Sequence, residues 1–348
     1  MIVKNYKDKT VLKGMSLEEI THWCDSHGLS AFRAKQIYQW MYRHGVQNAE
    51  EMQNISKKLQ DIIDNDCVLN TLNIEKIDQS EKEPTQKILF KTIDGHFVEA
   101  VSMREDNRHT ICVSSQIGCN VDCDFCATAS MGLIRNLIPG EIIDQAIAIR
   151  SLVKEPITNV VFMGMGEPFL NYKRVITAAN ILHNHEGFGL GAKRITISTS
   201  GIVPKIEQFI KDGHKYKLAI SLNATDDKTR EKIMPVNRRW PIEKIIKSAS
   251  RFAARKNHNV MFEYVLLKDI NDTDEDAVRL ANMIQGIDCK VNVIPYNETG
   301  GPYKRPSNDR IEQFLDILNK HRNGFRILVR WSKGEDISAA CGQLAVNN

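Results

Sequence analysis

Three thiols stand close together in one stretch of the chain, Cys119, Cys123 and Cys126, separated by three residues and then by two. Thiolates are soft donors that favour zinc and iron–sulfur clusters, and three on one loop can converge on a single centre. A structural zinc ion normally takes four protein ligands, yet no fourth Cys or His follows at finger-like spacing. His109 lies ten residues upstream with a predicted strand between. A cubane iron–sulfur cluster on three cysteines leaves one iron open to a small chelating substrate. Cluster and zinc both account for the thiols, and the missing fourth ligand favours the cluster.

Other chemistry-bearing residues follow predicted strands. Gly164-Met-Gly166-Glu167-Pro168 comes after Val160–Met163, and its glycines allow close backbone approach while Glu167 can accept hydrogen bonds from an ammonium group. Ser198–Gly201, Ser221-Leu222-Asn223 and Asn297 offer hydroxyls, amides and backbone groups at further strand ends. Each alone also reads as a tight turn or helix cap; together, beside a thiol loop, they describe a cofactor pocket. Of the remaining thiols, Cys24, Cys67 and Cys289 read as small buried hydrophobes. Cys112 lies on the strand that leads into the thiol loop. Cys341 sits in a small-residue, Gly-containing tail that is poor core material and so is expected to be mobile and reactive.

The elements that must position these groups alternate. Residues 1–84 are predicted as a mostly helical accessory domain, with apolar residues at helical spacing (Leu17, Ile20, Trp23; Phe32, Ile37, Trp40) and a capping box at Ser16 and Glu19. Glu81–Pro84 reads as a linker. Residues 85–348 open on strand periodicity with a hairpin signal at Asp94-Gly95. Short apolar strands then alternate with helices, among them 140–153 and 242–254. Repeated strand–helix units make a parallel sheet, and this many make a full or partial α/β barrel, whose chemistry collects at the carboxyl ends of the strands.

At 348 residues, with 42% hydrophobic and 26% charged residues, the composition is that of a soluble globular protein with room for two domains. No stretch reaches the length of a membrane span, and the polar start lacks a signal-peptide pattern, so a cytoplasmic protein is expected. Eight cysteines in such a chain argue for metal or catalytic roles. The net charge of +4 permits a nucleic acid partner without demonstrating one.

The C-x3-C-x2-C spacing, with Phe125 before the last Cys, resembles the signature of radical S-adenosylmethionine enzymes. The run Cys112–Cys119, the thiol loop, Asn136-Leu137, Gly164–Pro168, Ile197–Gly201 and Ala339–Leu344 together resemble the RlmN/Cfr family, which methylates an adenosine of large-subunit ribosomal RNA. Phe32–Gln36 with Trp40, and Ser-Thr-Ser-Gly at 198–201, look more like the RlmN branch.

The resemblance implies a partial (β/α) barrel of the radical SAM type, with a [4Fe-4S] cluster on Cys119, Cys123 and Cys126. It implies S-adenosylmethionine contacts at Gly166, Glu167, Ser198, Ser221, Leu222, Asn223 and Asn297. It assigns Cys341 as the methyl carrier, Cys112 as the thiol that forms a transient disulfide with it, and Glu99 as general base. The implied reaction methylates carbon 2 of an adenosine in 23S rRNA and also in tRNA, with an external one-electron reductant and a monomeric enzyme. Asn223 departs from the pattern, since many members carry His there. For RNA, basic groups at Arg238-Arg239, Arg251, Arg255-Lys256, Lys304-Arg305, Arg322, Arg326 and Arg330 are the expected surface. The competing readings are methylation at carbon 8, a zinc-stabilised RNA-binding module without turnover, and a radical enzyme acting on a protein or metabolite.

Overall fold

The computed structural model describes residues 9–153 and 155–346. The amino-terminal region holds helices α1 (Leu17–Ser26), α2 (Ala31–Gln39) and α3 (Lys57–Asp66). The capping box forms as expected: Ser16 Oγ accepts from the Glu19 N–H at 3.2 Å, and Glu19 Oε2 accepts from the Ser16 N–H at 2.7 Å. Trp23 and Tyr42 enter the core, whereas Trp40 is half-buried and donates to Asn54 Oδ1. Asp144 fastens this region to the rest, accepting the Thr71 N–H and hydroxyl at 2.6 Å each and pairing with Lys13 at 3.3 Å. That pair is buried with its remaining carboxylate contacts satisfied, the condition under which an interior ion pair holds.

A ten-stranded sheet follows, its strands adjacent in chain order: β1 (Leu72–Gln79), β2 (Thr85–Thr92), β3 (Phe97–Glu105), β4 (Arg108–Cys112), β5 (Asn159–Phe162), β6 (Ile195–Thr199), β7 (Lys217–Ser221), β8 (Val260–Leu266), β9 (Cys289–Pro295) and β10 (Arg326–Val329). β1 to β4 form an antiparallel meander, and β4 to β10 are parallel throughout. Helices α4 (Pro139–Leu152), α5 (Tyr172–His183), α6 (Val203–Lys211), α7 (Asp227–Ile233), α8 (Ile242–Ala253), α9 (Asp274–Ile284) and α10 (Asn308–Lys320) occupy the crossovers. α8 shows why they pack: Ile242, Ile245, Ala249 and Phe252 share one buried face, with Glu243 and Arg251 outside.

Helical character ends earlier than expected. Leu72–Gln79 is an edge strand with one buried residue, so it carries no strand alternation for a sequence reading to detect. Glu81–Pro84, expected as a linker, is the turn between β1 and β2.

β1 and β10 are the two edges of the sheet. The segment after β10 spans the opening between them: Asp336 accepts from the Ser80 hydroxyl at 2.9 Å and the Glu81 N–H at 3.0 Å, and Lys333 pairs with Glu105 at 2.7 Å. The barrel is therefore partial, bridged by side chains rather than by a strand ladder. No helix among the described residues is long and apolar enough to cross a membrane.

Candidate active site

The thiol loop is the tip of a small hairpin. Gln116–Gly118 pairs antiparallel with Leu133–Asn136, and Cys119 to Met131 lie between. Gly118, at φ 72°, is required: a Cβ there would stand 1.7 Å from the Gly132 carbonyl oxygen. Within the loop the Cys126 N–H donates to the Cys123 carbonyl at 3.0 Å, folding the last two thiols toward each other. Asp124 ties the tip down, its N–H donating to Ile233 O and its carboxylate accepting from the Tyr303 hydroxyl at 2.7 Å.

All three thiols line one cavity of about 750 Å³ that fills the lumen of the partial barrel. Burial pushes Cys119 up to about 12 and raises Cys123 and Cys126; the neighbouring thiols add to the rise at Cys119 and Cys123. Such thiols ionise only beside strong positive charge, which iron supplies. No group of three or more His, Cys, Asp or Glu among the described residues is arranged to hold a single metal ion. Three close thiols on one loop are a soft donor set of the kind that iron–sulfur clusters and zinc take.

The polar strand ends converge on the same cavity, which Gly166, Glu167, Ser198, Ser221, Asn223 and Asn297 all line. Among the described residues, Asn297 Oδ1 and Glu263 Oε2 face it as buried atoms without a hydrogen-bond partner, as expected of groups that await a polar ligand. Leu222 is fully buried and stands behind the lining, its backbone N–H donating to Glu263 O. Glu167 accepts from the Phe169 N–H at 2.9 Å and the Ser200 N–H at 2.7 Å; burial raises its pKa and these amides oppose the rise. The glycine at 166 permits close approach to a protein neighbour: a Cβ would lie 2.5 Å from Gln116 Cβ. Asn223, in the left-handed region at φ 58°, accepts from the Val265 N–H at 2.9 Å and so joins β7 to β8.

Cys341 and Cys112 also line this cavity. The tail, expected to be mobile, is folded against the thiol loop and the strand ends. Gly342 O accepts from the Ala127 N–H at 2.8 Å, Leu344 O from the Thr128 hydroxyl at 2.6 Å and Cys341 O from Asn297 Nδ2 at 3.0 Å. Its small residues Ala339 and Ala340 are buried because they let the backbone approach this closely. All eight cysteines are free thiols; the Cys112–Cys341 disulfide is not formed.

Glu99 lies outside the cavity lining. Its carboxylate is buried, 3.2 Å from Lys87 Nζ, and accepts from the Ala345 N–H of the tail at 3.1 Å. Burial raises its pKa and Lys87 opposes the rise.

Two arginines were not singled out as site residues by sequence reasoning. Arg230 on α7, fully buried, donates to the carbonyls of Ser200, Ser221 and Leu222 at 2.7 to 3.0 Å, locking two strand ends. Arg330, expected on an RNA surface, instead faces the lumen: its Nη1 donates to Met163 Sδ at 3.4 Å and stands 4.0 Å from Glu263 Oε2. Burial raises Cys112 to about 12 and raises Cys341, and the Arg330 guanidinium opposes both shifts. The signal for Arg330 was its place at the carboxyl end of a parallel strand. Other expected surface cations are paired, Arg238 with Glu231, Arg251 with Glu207 and Lys304 with Glu298.

Comparison with known proteins agrees with this geometry. Residues 113–281 match the model of the radical SAM superfamily, and residues 10–69 match that of the ribosomal RNA large subunit methyltransferase N-terminal domain. The dual-specificity RNA methyltransferase RlmN of Desulfotalea psychrophila is 40% identical over 98% of this chain and 96% of its own. That of Geobacter sulfurreducens is 40% identical over 96% of this chain and 91% of its own. The crystal structure of a radical SAM methyltransferase from Sphaerobacter thermophilus superposes with a TM-score of 0.91 at 41% identity, covering 96% of this chain and 98% of that one. Two family models and relatives matched over nearly their whole length agree, and the chain belongs to the RlmN family of radical SAM RNA methyltransferases.

Proposed function

We propose that this chain methylates carbon 2 of an adenosine in 23S rRNA and in tRNA through an S-methylcysteine at Cys341. The observation that carries this reading is the gathering of Cys341, Cys112 and the three loop thiols around one cavity. Carbon 2 lies between two ring nitrogens and is too electron-poor to attack a sulfonium methyl directly. The chemistry supplied by a [4Fe-4S] cluster on Cys119, Cys123 and Cys126, with S-adenosylmethionine bound, is one-electron cleavage of the sulfonium to give a hydrogen-abstracting radical.

The protein's own groups do the rest. Cys341, as thiolate, takes the methyl group of one S-adenosylmethionine, forming its S–C bond as the sulfonium C–S bond breaks. Arg330 favours that thiolate in a buried setting. After hydrogen loss, the methylene carbon on Cys341 sulfur adds to carbon 2; the adduct gives its carbon 2 proton to a base and one electron to an acceptor, a role that a [4Fe-4S] cluster on Cys119, Cys123 and Cys126 would fill. Cys112 thiolate then attacks the Cys341 sulfur. The S–S bond forms, and the carbon leaves with its electron pair and takes up a proton to become the methyl group. An external dithiol or other two-electron reductant restores the thiols. Glu99 serves as base in this reading once the tail moves away from it, since Ala345 now occupies one of its oxygens. Gly166, Glu167, Ser198, Ser221, Asn223 and Asn297 contact S-adenosylmethionine, and Leu222 supports them from behind. The helical region before the sheet docks the RNA.

The test is mass spectrometry of the anaerobically purified protein and of digested RNA. A methyl group on the Cys341 peptide, absent from Cys341→Ala, and 2-methyladenosine in rRNA and tRNA are expected. Unmodified Cys341 after incubation with S-adenosylmethionine sinks the carrier step, and 8-methyladenosine moves the reaction to the other carbon.

A further inference from the structure

The lumen does not end below the reactive thiols. It continues to the amino-terminal ends of the strands, the face opposite the thiol loop, where Arg108, Lys217 and Lys290 line it. Lys217 opens β7, Arg108 opens β4, Lys290 is the second residue of β9, and Lys193 and Arg194 immediately precede β6. In an ordinary α/β barrel this end is a packed, structural layer of branched apolar residues. Here it carries cations over a polar layer that includes Thr110, Asn159 and Thr196.

Arg108 donates its Nε to the Thr110 hydroxyl at 3.0 Å and lies near Glu105, but the two lumen lysines lack counter-charges. Lys217 and Lys290 are half-buried, and neither ammonium group has a hydrogen-bond or ion-pair partner among the described residues. Of the carboxylates near this end, Glu105 pairs with Lys333 at 2.7 Å and also feels Arg108, and Glu263 accepts from Asn292 at 2.7 Å. Burial pulls the pKa of Lys217 down, and Lys290, Arg108, Arg194 and Lys193 pull it further. Three cations thus line one opening, and the exposed Lys193 and Arg194 add to the positive field there. Half-buried like charges without partners are unfavourable, and a bound anion relieves both their repulsion and their unmet hydrogen bonding.

We propose that the amino-terminal mouth of the lumen, at Lys217, Lys290 and Arg108, is a phosphate-binding site separate from the thiol chemistry. A phosphate group suits it because its several oxygens can accept from more than one of these cations at once. The group comes either as a free phosphate or as a phosphodiester of the RNA backbone, and the two sources are separable.

The experiment uses the full-length protein at constant ionic strength, so that general screening is held fixed. Thermal melts are recorded with and without inorganic phosphate for the wild type, for Lys217→Met/Lys290→Met, and for Lys244→Met, an exposed lysine on α8. Binding of inorganic phosphate by calorimetry and of a ribosomal RNA fragment by filter retention is measured on the same proteins. Phosphate is expected to raise the wild-type and Lys244→Met melting temperatures. The double variant is expected to melt higher than wild type in plain buffer, to show no phosphate-dependent rise, and to bind phosphate about tenfold or more weakly. Loss of phosphate binding with unchanged RNA affinity assigns a free phosphate. A parallel loss of RNA affinity, with phosphate competing against RNA on the wild type, assigns the RNA backbone. If neither phosphate nor RNA binding differs between the double variant and wild type, the site is refuted.

Discussion

Cys112 and Cys289 occupy similar places in the sheet. Cys112 closes β4 and Cys289 opens β9; both are buried, and burial pushes both thiols up to about 12. Cys67 shares that value for the same reason. All three belong to the hydrophobic core, yet of the three Cys112 alone also lines the lumen, with Cys341, and feels Arg330. Burial by itself therefore does not set Cys112 apart from the other two thiols. What separates them is a cavity in front of the sulfur and a cation beside it, because the first admits a reactant and the second holds the ionised form.

That contrast can be broken by mutation. Cys112→Ala is expected to abolish turnover while leaving Cys341 able to take a methyl group, so that enzyme covalently joined to RNA accumulates on denaturing gels. Cys289→Ala is expected to leave turnover intact. Free methylated RNA at wild-type yield from Cys112→Ala would erase the distinction between the two thiols.

Arg330→Met sharpens the role of the cation. Removing the guanidinium leaves burial unopposed at both thiols, so their pKa values rise and their alkylation by iodoacetamide at pH 8 slows several-fold, with the rate–pH curve displaced to higher pH. Alkylation of Cys341 that keeps the wild-type curve would show that the cavity alone sets reactivity.

A smaller effect is expected for the core thiols. Cys289→Ala should cost about 1 kcal/mol in urea unfolding, the typical size of a buried truncation this small. Its pH dependence has a definite sign. The folded value near 12 lies above the ordinary 9.0, so the folded state holds its proton when the unfolded chain has lost it. Stability is then full below pH 9 and falls as pH rises toward 12. Cys289→Ala should blunt that fall between pH 9 and 11, and an unchanged slope would mean that the thiol is not buried as described.

Much of this was legible in the residues. The alternation of apolar strands with amphipathic helices is a local pattern, so the strand expected before Gly164 is β5, and the strand ends expected at Ser198 and Ser221 close β6 and β7. The edge strand β1 was not legible, because a strand with one buried residue leaves no period in its sequence. Arg330 was misplaced on the surface for a related reason: whether an inward or outward position faces lumen or solvent depends on how the sheet curves. Glu99 was placed by resemblance, and its contacts with Lys87 and Ala345 join segments far apart in the chain.

The sequence by itself determined the donor types and their local spacing: three thiols on one loop, hydroxyls and amides at strand ends, a lone thiol in a small-residue tail. These depend on short-range geometry, which spacing specifies. Only the tertiary structure decided which of them meet. Cys112, Cys126, Asn297, Arg330 and Cys341 come together because a curved parallel sheet turns alternate side chains of every strand toward one lumen and because the tail docks across it. That convergence is a property of packing between distant segments, and no local pattern encodes it.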